Sequence, residues 1–401
     1  MTAHAQLNLH THFRTLLCPT PFHPRTSALN RLNRWSDWAG SSSAICYGDE
    51  AMEYSAIRGR ATLYDICPMV KYRIVGPDAA AYLNRLTIRN AAKLAVGSVH
   101  YTVWCDDMGK VLDDGTLFRH GADDYLLCCQ ERHLPWLQDS ALGYDVQVND
   151  ISEEIAALSL QGPCSAAVLR AVGFDIDGLK PFRMARFAFG AGEITISRTG
   201  FTGDLGYELW MRPDQALPVW DALTAAGAPF DLCPIGNSAL NLARIEAGFI
   251  VTKFDFIPAD QALREDRVRS PFELALDWMI DWNKGHFTGR RALLAERDNG
   301  TSQWALVGLD IDGNVSAEGS LIYDHRKREI GHITAAAWSP ATKRNVAIAQ
   351  IRRPHHKNPN LWVEIYAQRE LQYVKLMAKA FVTERPFFAL ERRRATPPAD
   401  F

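Results

Sequence analysis

The stretch KVLDDGTLF places two carboxylates, Asp113 and Asp114, side by side in what reads as a β-strand. Aspartate is depleted in strands, so the pair stands out. Adjacent strand residues face opposite sides, so one of them can face a given cavity, and alternation alone does not choose between them. A third carboxylate follows a turn. In ITISRTGFTGDLGYELW, two apolar strands flank Gly200, Gly203 and Gly206, and Glu208 sits on the second strand. The glycine spacing is GxxGxxG and leads into a strand, which argues against a dinucleotide-binding turn. Arg244 lies on a helical stretch, GNSALNLARIEAG. Carboxylates can take a proton or accept paired N–H groups, and an arginine can hold a carboxylate. On pattern alone, the glycine-rich stretch reads first as an ordinary hairpin.

Several elements must position these residues. HYTVWC, KVLDDGTLFR and DYLLCCQ read as an antiparallel meander, with turns at Asp106–Gly109 and Gly121–Asp124. An internal echo surrounds it. KYRIVGPDAAAYLNRL and ALSLQGPCSAAVLRAV share an apolar strand, a Gly-Pro stop and a small-residue helix. RPDQALPVWDALTAA reads as an amphipathic helix ended by Gly227. Beyond a boundary near residues 285–300, short strands alternate with turn residues, which predicts a small all-β barrel or sandwich. The expected fold class is α+β: a pseudo-repeated body with a meander, then a C-terminal barrel. The expected division is a lead-in over 1–24, with Pro19, Pro21 and Pro24, a body over 25–285 with 71–150 inserted, and a barrel over 286–395.

The 401 residues, 47% of them hydrophobic, suffice for two or three folded domains. A formal charge of −2 leaves no global basic field for nucleic acid. The basic end, ERRRATPP, reads as a solvated terminus. Eight cysteines occur without a CxxC pair and read as reduced, mostly buried thiols. His10-Thr-His12 has no later metal constellation to support it, so no metal is expected. No run approaches a membrane span, and the N-terminus lacks an apolar signal core. A cytoplasmic protein without membrane contact is expected.

RTGFTGDLGYELW followed by PIGNSALNLARIEAGF resembles the tetrahydrofolate-dependent aminomethyltransferase family, the glycine-cleavage T-protein and its demethylase relatives. So do SLQGPCSAAVL, YTVWCDDMGKVLDDGTLF, DWMIDWNKGHFTGRRALL and GHITAAAWSPATKRNVAIAQI, in family order over most of residues 45 to 385. The resemblance implies tetrahydrofolate as cofactor and one-carbon transfer to its N5. It implies Asp113 as the catalytic carboxylate and Glu208 as the carboxylate on the pterin. Tyr101 and Gln161 match positions on the pterin side. Arg244 matches the arginine suited to the folate's glutamate carboxylates, and Trp278 and Arg290 fall in further family blocks.

Two departures fall on the donor side. Where T-proteins tend to read DVSHM, this chain has Asp65-Ile-Cys-Pro-Met69, with Pro68 in place of the histidine. After EAG it reads FIVTKFDF instead of a polar Gln-Glu-bearing loop. These changes argue against docking of a lipoyl carrier protein. They favour a demethylase acting on a small O-, N- or S-methylated donor, with glycine cleavage as the alternative. A non-catalytic folate-binding relative is the other alternative, and the absence of its cysteine motif after the glycine helix counts against it. Trp35, Trp38 and Trp104 either offer aromatic faces to such a donor or close a core.

Overall fold

The computed structural model describes residues 17–397. His10, His12 and most of the expected lead-in lie outside the described residues. Within them, Pro24 stands in the first turn of a helix, His23–Leu29, so the extended segment stops earlier than expected.

In chain order the strands are β1 (Arg34–Trp38), β2 (Ser41–Cys46), β3 (Thr62–Asp65), β4 (Val70–Val75), β5 (Ser98–Cys105), β6 (Val111–Arg119), β7 (Asp124–Cys129), β8 (Gln147–Asp150), β9 (Ala156–Gln161), β10 (Met184–Phe189), β11 (Gly192–Ser197), β12 (Gly206–Met211) and β13 (Cys233–Pro234). The C-terminal strands are β14 (Trp304–Ile311), β15 (Leu321–Tyr323), β16 (Glu329–Ser339), β17 (Arg344–Arg352), β18 (Leu361–Arg369) and β19 (Gln372–Thr383). The chain forms two compact units. One holds the residues up to Tyr72, Asn149–Leu240 and those from Glu391 on; the other holds Arg73–Val148 and Asn241–Leu390. The segment expected as an insert therefore groups with the chain that continues into the barrel. The physical reason is a shared core: Ile88, Val103 and Val111 pack with Leu274, Phe287, Leu306 and Val346.

In the first unit, one sheet runs in the order β10-β11-β12-β9-β3-β13, antiparallel except for the β3–β13 pair. Its core joins Leu158, Leu160, Ile196 and Leu209 of the sheet to Val168 and Leu169 of the helix Ser165–Val172, and to Trp220 and Leu223 of the helix Ala216–Gly227. Burying each such side chain contributes roughly 1.5–3 kcal/mol before entropy is counted. The meander appears in the second sheet, ordered β5-β6-β7-β4-β8. The barrel closes in the order β14-β17-β16-β15-β18-β19, with Ile322, Ile333, Ala347 and Val363 in its core.

The echo has a physical basis. Gly76 after β4 and Gly162 after β9 have φ of +148° and +110°, which favour glycine. A Cβ on Gly76 would lie 2.3 Å from the Asp145 carbonyl oxygen, and one on Gly162 would lie 2.4 Å from that of Arg60. In both places the strand-to-helix turn needs a residue without a side chain. All eight cysteines are free of disulfides. Among the described residues, no helix is long and apolar enough to cross a membrane.

Candidate functional site

Two carboxylate sites emerge, one in each unit. In the second unit, β6 pairs with β5 so that Asp113 stands opposite Trp104 and Asp114 opposite Val103. Strand alternation separates the two Cβ atoms, yet both side chains reach Thr252, on the loop after Gly248. The Thr252 hydroxyl lies 2.5 Å from Asp113 Oδ1 and 2.9 Å from Asp114 Oδ1. Asp113 is fully buried. Its Oδ1 also accepts from the Asp114 amide at 2.9 Å. Its Oδ2 accepts from the Glu131 amide at 3.1 Å and meets His133 Nε2 at 3.1 Å. A carboxylate has about four lone-pair sites, so these four partners saturate it.

Asp114 differs. It is half-buried, and its Oδ2 accepts the Tyr101 hydroxyl at 2.7 Å. Burial first, and the neighbouring Asp113 charge second, hold its carboxyl well above the usual carboxylate range. The hydroxyl count agrees. Thr252 has one proton, and the shorter contact goes to Asp113. A hydrogen bond between Thr252 and Asp114 Oδ1 then needs the proton to sit on Asp114. Burial also pushes the Tyr101 phenol up, followed by the charge and hydrogen bond of Asp114. Asp113 is therefore held by four partners, and Asp114, with its carboxyl held high, is the group placed to exchange a proton. The resemblance points to Asp113 as the catalytic carboxylate; the geometry gives the exchangeable position to its neighbour.

In the first unit, Glu208 sits on β12 between Ser197 of β11 and Ser159 of β9. Thr199 Oγ1 donates to Glu208 Oε2 at 2.5 Å, and Ser197 Oγ lies 2.7 Å from Thr199 Oγ1. Burial raises the Glu208 carboxyl to about 7, against the opposing Thr199 hydrogen bond. Gln161 is buried, and its amide Nε2 donates to the carbonyls of Thr199 and Tyr207, each at 3.3 Å. Its Oε1 accepts from the Thr202 hydroxyl at 2.9 Å. A Cβ on either Gly200 or Gly206 would lie 2.1 Å from that same oxygen. The glycine spacing thus lets the turn wrap around the Gln161 amide. Gln161 holds the loop, and Glu208 keeps Oε1 unpaired among the described residues.

The remaining expected site residues are placed as follows. Arg244 is buried and ion-paired: Nη1 meets Asp255 Oδ2 at 2.6 Å and Nε meets Asn241 Oδ1 at 2.8 Å. That engagement does not suit it to a folate's glutamate tail. Trp278 is exposed, with the Arg89 guanidinium 5.8 Å from its ring centre. Arg290 opens the helix Arg290–Asn299 and donates from Nη2 to the Trp282 carbonyl at 3.3 Å, while its Nε is buried without a partner among the described residues. Trp104 is fully buried and meets the His133 ring edge-on at 5.6 Å, so it is a core residue and offers no face to a donor. Trp35 lies 5.1 Å from the His23 ring and donates to Asn33. Trp38 stacks on Tyr64 at 6.2 Å, and Tyr64 bonds Asn237. In the altered DICPM turn, the buried Lys71 ammonium donates to the carbonyls of Cys67 and Met69, both at 2.8 Å. Thr252 and His133 escaped the sequence reading, because both sit on loops whose pattern says nothing of what they meet.

The GCVT N-terminal domain family matches residues 28–284, and the glycine cleavage T-protein C-terminal barrel domain matches residues 305–388. The chain belongs to the glycine cleavage T-protein family. Members of the family use tetrahydrofolate. The chain is 32% identical over 325 residues to an aminomethyltransferase of Halothermothrix orenii, covering 80% of this chain and 88% of that protein. It is 33% identical over 320 residues to a trimethylamine-oxide aldolase of Ruegeria pomeroyi, covering 76% of this chain but 39% of that longer protein. The solved glycine cleavage system aminomethyltransferase T of Bartonella henselae shares the fold, with a TM-score of 0.82 over 95% of this chain and 99% of that one, at 22% identity. Glu208 Oε1 is an unpaired acceptor on a half-buried carboxylate, which has the chemistry that the N–H edge of a pterin needs.

Proposed function

We propose that this T-protein family member transfers an aminomethyl-derived carbon to tetrahydrofolate, with Asp114 as the carboxylate that moves a proton and Glu208 as the pterin acceptor. The observation that carries the reading is the shared Thr252 hydroxyl between a saturated Asp113 and a half-buried Asp114. Tetrahydrofolate supplies N5 as the nucleophile toward the aminomethyl carbon, whose bonds to nitrogen and sulfur break so that ammonia and the carrier thiol leave and methylene-folate remains. Asp114 gives or takes a proton at Oδ1 or Oδ2, aimed by Tyr101 and Thr252. Asp113, fixed by its four partners, is placed to stabilise positive charge that develops nearby. Glu208, when ionised, accepts from the pterin edge through Oε1.

The aminomethyl donor, presented on a lipoyl carrier, is preferred here over the methylated small molecule that the two sequence departures favour. Relatives that carry the name aminomethyltransferase over most of their length support it. A methylated amine is the second reading. Its support is Pro68 in place of histidine, the half-buried Trp38 stacked on Tyr64, and the relative named trimethylamine-oxide aldolase. The test is incubation with tetrahydrofolate and, in separate arms, an aminomethylated lipoyl carrier and a panel of O-, N- and S-methylated donors. Methylene-folate from the carrier arm supports the first reading. Methyl-folate from a small donor, with the carrier arm silent, supports the second. No folate product in any arm, with folate bound, points to the non-catalytic alternative.

A further inference from the structure

The C-terminal segment is built into the glycine-rich turn of the first unit. Asp204, in that turn, has a side chain with 0% exposure. Its Oδ1 accepts from Arg392 Nε at 2.6 Å and from the Leu205 amide at 2.8 Å. Its Oδ2 accepts from Arg392 Nη2 at 2.8 Å and from Arg58 Nη1 at 3.4 Å. Arg392 Nη2 also reaches the Arg58 carbonyl at 2.8 Å, and Arg58 Nη1 donates to the Thr202 carbonyl at 2.9 Å. Three residues further on, the Ala395 carbonyl accepts from Arg198, and Pro397 is buried. The basic run that reads as a solvated end is therefore a two-point strap.

The strap closes on a loop whose other contacts face the folate carboxylate. Thr199 opens the loop and holds Glu208, Thr202 holds Gln161, and Asp204 is where Arg392 lands. We propose that Arg392 is a positioning residue for tetrahydrofolate: it clamps Asp204, fixes the Thr199–Gly206 turn, and so sets the Glu208 carboxylate. This rests on Glu208 as the pterin acceptor. A bidentate guanidinium–carboxylate pair suits the task because it fixes direction as well as distance. Without Arg392, the buried Asp204 keeps only the Leu205 amide and the longer Arg58 contact, and the turn opens toward water.

The test compares Arg392→Gln, Arg392→Lys, Asp204→Asn, the Arg392→Gln/Asp204→Asn double variant and Glu208→Gln in the full chain. Folate Kd, folate KM, kcat and the melting midpoint are read for each. Arg392→Gln is expected to raise Kd and KM roughly tenfold while kcat stays within about twofold. Arg392→Lys recovers part of the loss, since an ammonium gives charge without the fork. The double variant is no worse than Arg392→Gln alone, as expected for two members of one contact. A folded Arg392→Gln that lowers the melting midpoint but leaves folate Kd unchanged overturns the proposal. If Arg392→Gln does not fold, Arg392→Lys decides: a raised Kd supports the strap, and a wild-type Kd overturns it. Loss in Glu208→Gln with none in the Arg392 variants sinks the strap alone. Loss in the Arg392 variants with none in Glu208→Gln removes Glu208 as the acceptor and overturns the claim that the strap acts through it.

Discussion

The Tyr101 hydroxyl donates to Asp114 Oδ2 at 2.7 Å, across the β5–β6 pair of the second unit. A phenol that aims a half-buried carboxyl is a device for placing a proton. Asp114→Asn is expected to lower kcat by about 10²–10⁴-fold and to leave folate affinity within a few-fold. Tyr101→Phe should lose less, because the carboxyl stays and only its aim is lost. Asp113→Asn should show a drop in melting midpoint alongside any kinetic loss, since its amide turns a donor toward one of four donors. The check is single-turnover kinetics with thermal melting on all three. Full activity in Asp114→Asn with loss in Asp113→Asn would return the proton to Asp113.

Folate affinity should depend on pH through Glu208. Burial raises its carboxyl to about 7 in the free protein. Only the ionised form accepts a pterin N–H, so affinity should rise with pH below about 7, by up to roughly tenfold per unit, and flatten above it. The stability of the free protein should move the other way. The folded state binds this proton more tightly than the unfolded state does. The group's contribution is therefore most favourable at low pH and is lost as pH rises through about 7. Calorimetric folate titrations between about pH 6 and 8 test the first sign, and thermal melts of the free protein from about pH 5 to 8 test the second, each on the wild type and Glu208→Gln. A flat wild-type profile would mean that Glu208 does not meet the pterin.

Arg244 should behave as a structural cation. Its Nη1 pairs with Asp255, which also takes the Val251 amide at 2.8 Å and the Thr334 hydroxyl at 2.5 Å. That network ties down the loop that carries Thr252. Arg244→Ala strands a buried carboxylate, and such a break costs about 3–5 kcal/mol. The expected outcome in urea unfolding is a much lower midpoint. A stable Arg244→Ala variant that binds monoglutamate folate normally but loses preference for longer glutamate tails would restore its expected role.

What was legible in the sequence was local. Gly200, Gly203 and Gly206 announce a tight turn, and the structure explains two of them by the Gln161 amide that fills the space of a Cβ. The meander and the strand–Gly-Pro–helix echo follow from alternation and from Gly76 and Gly162, where only glycine fits. What was not legible depends on distant pairing. Thr252 lies 139 residues from Asp113, and nothing in FIVTKF says that its hydroxyl will meet a carboxylate. Arg392 lies 188 residues from Asp204, and a basic run near the end looks solvated until its partner is seen. Arg244 was a sound match by position, but its ion pair with Asp255 depends on a loop whose course the sequence does not reveal.

The donor is the least constrained part of the chemistry, and Trp38 offers the means to examine it. Its ring stacks on Tyr64 with an interplanar angle of 23°, and its indole Nε1 is buried without a partner among the described residues. Tyr64 is fixed by Asn237, whose amide also donates to Ser36 at 2.6 Å. An aromatic face with a polar edge nearby suits a small cationic or methylated amine, at roughly 0.5–2 kcal/mol for each such contact. If a methylated amine is the donor, Trp38→Ala should raise the donor KM by about 2- to 30-fold and leave folate Kd unchanged. If the donor arrives on a lipoyl carrier, the same variant should lose melting temperature and little else. Trp104→Ala is the contrast. That ring is fully buried, so its removal should cost about 3–5 kcal/mol of stability whatever the donor. A Trp38→Ala protein with wild-type kinetics toward every methylated amine turned over would remove the aromatic site and leave the carrier-borne aminomethyl group as the donor.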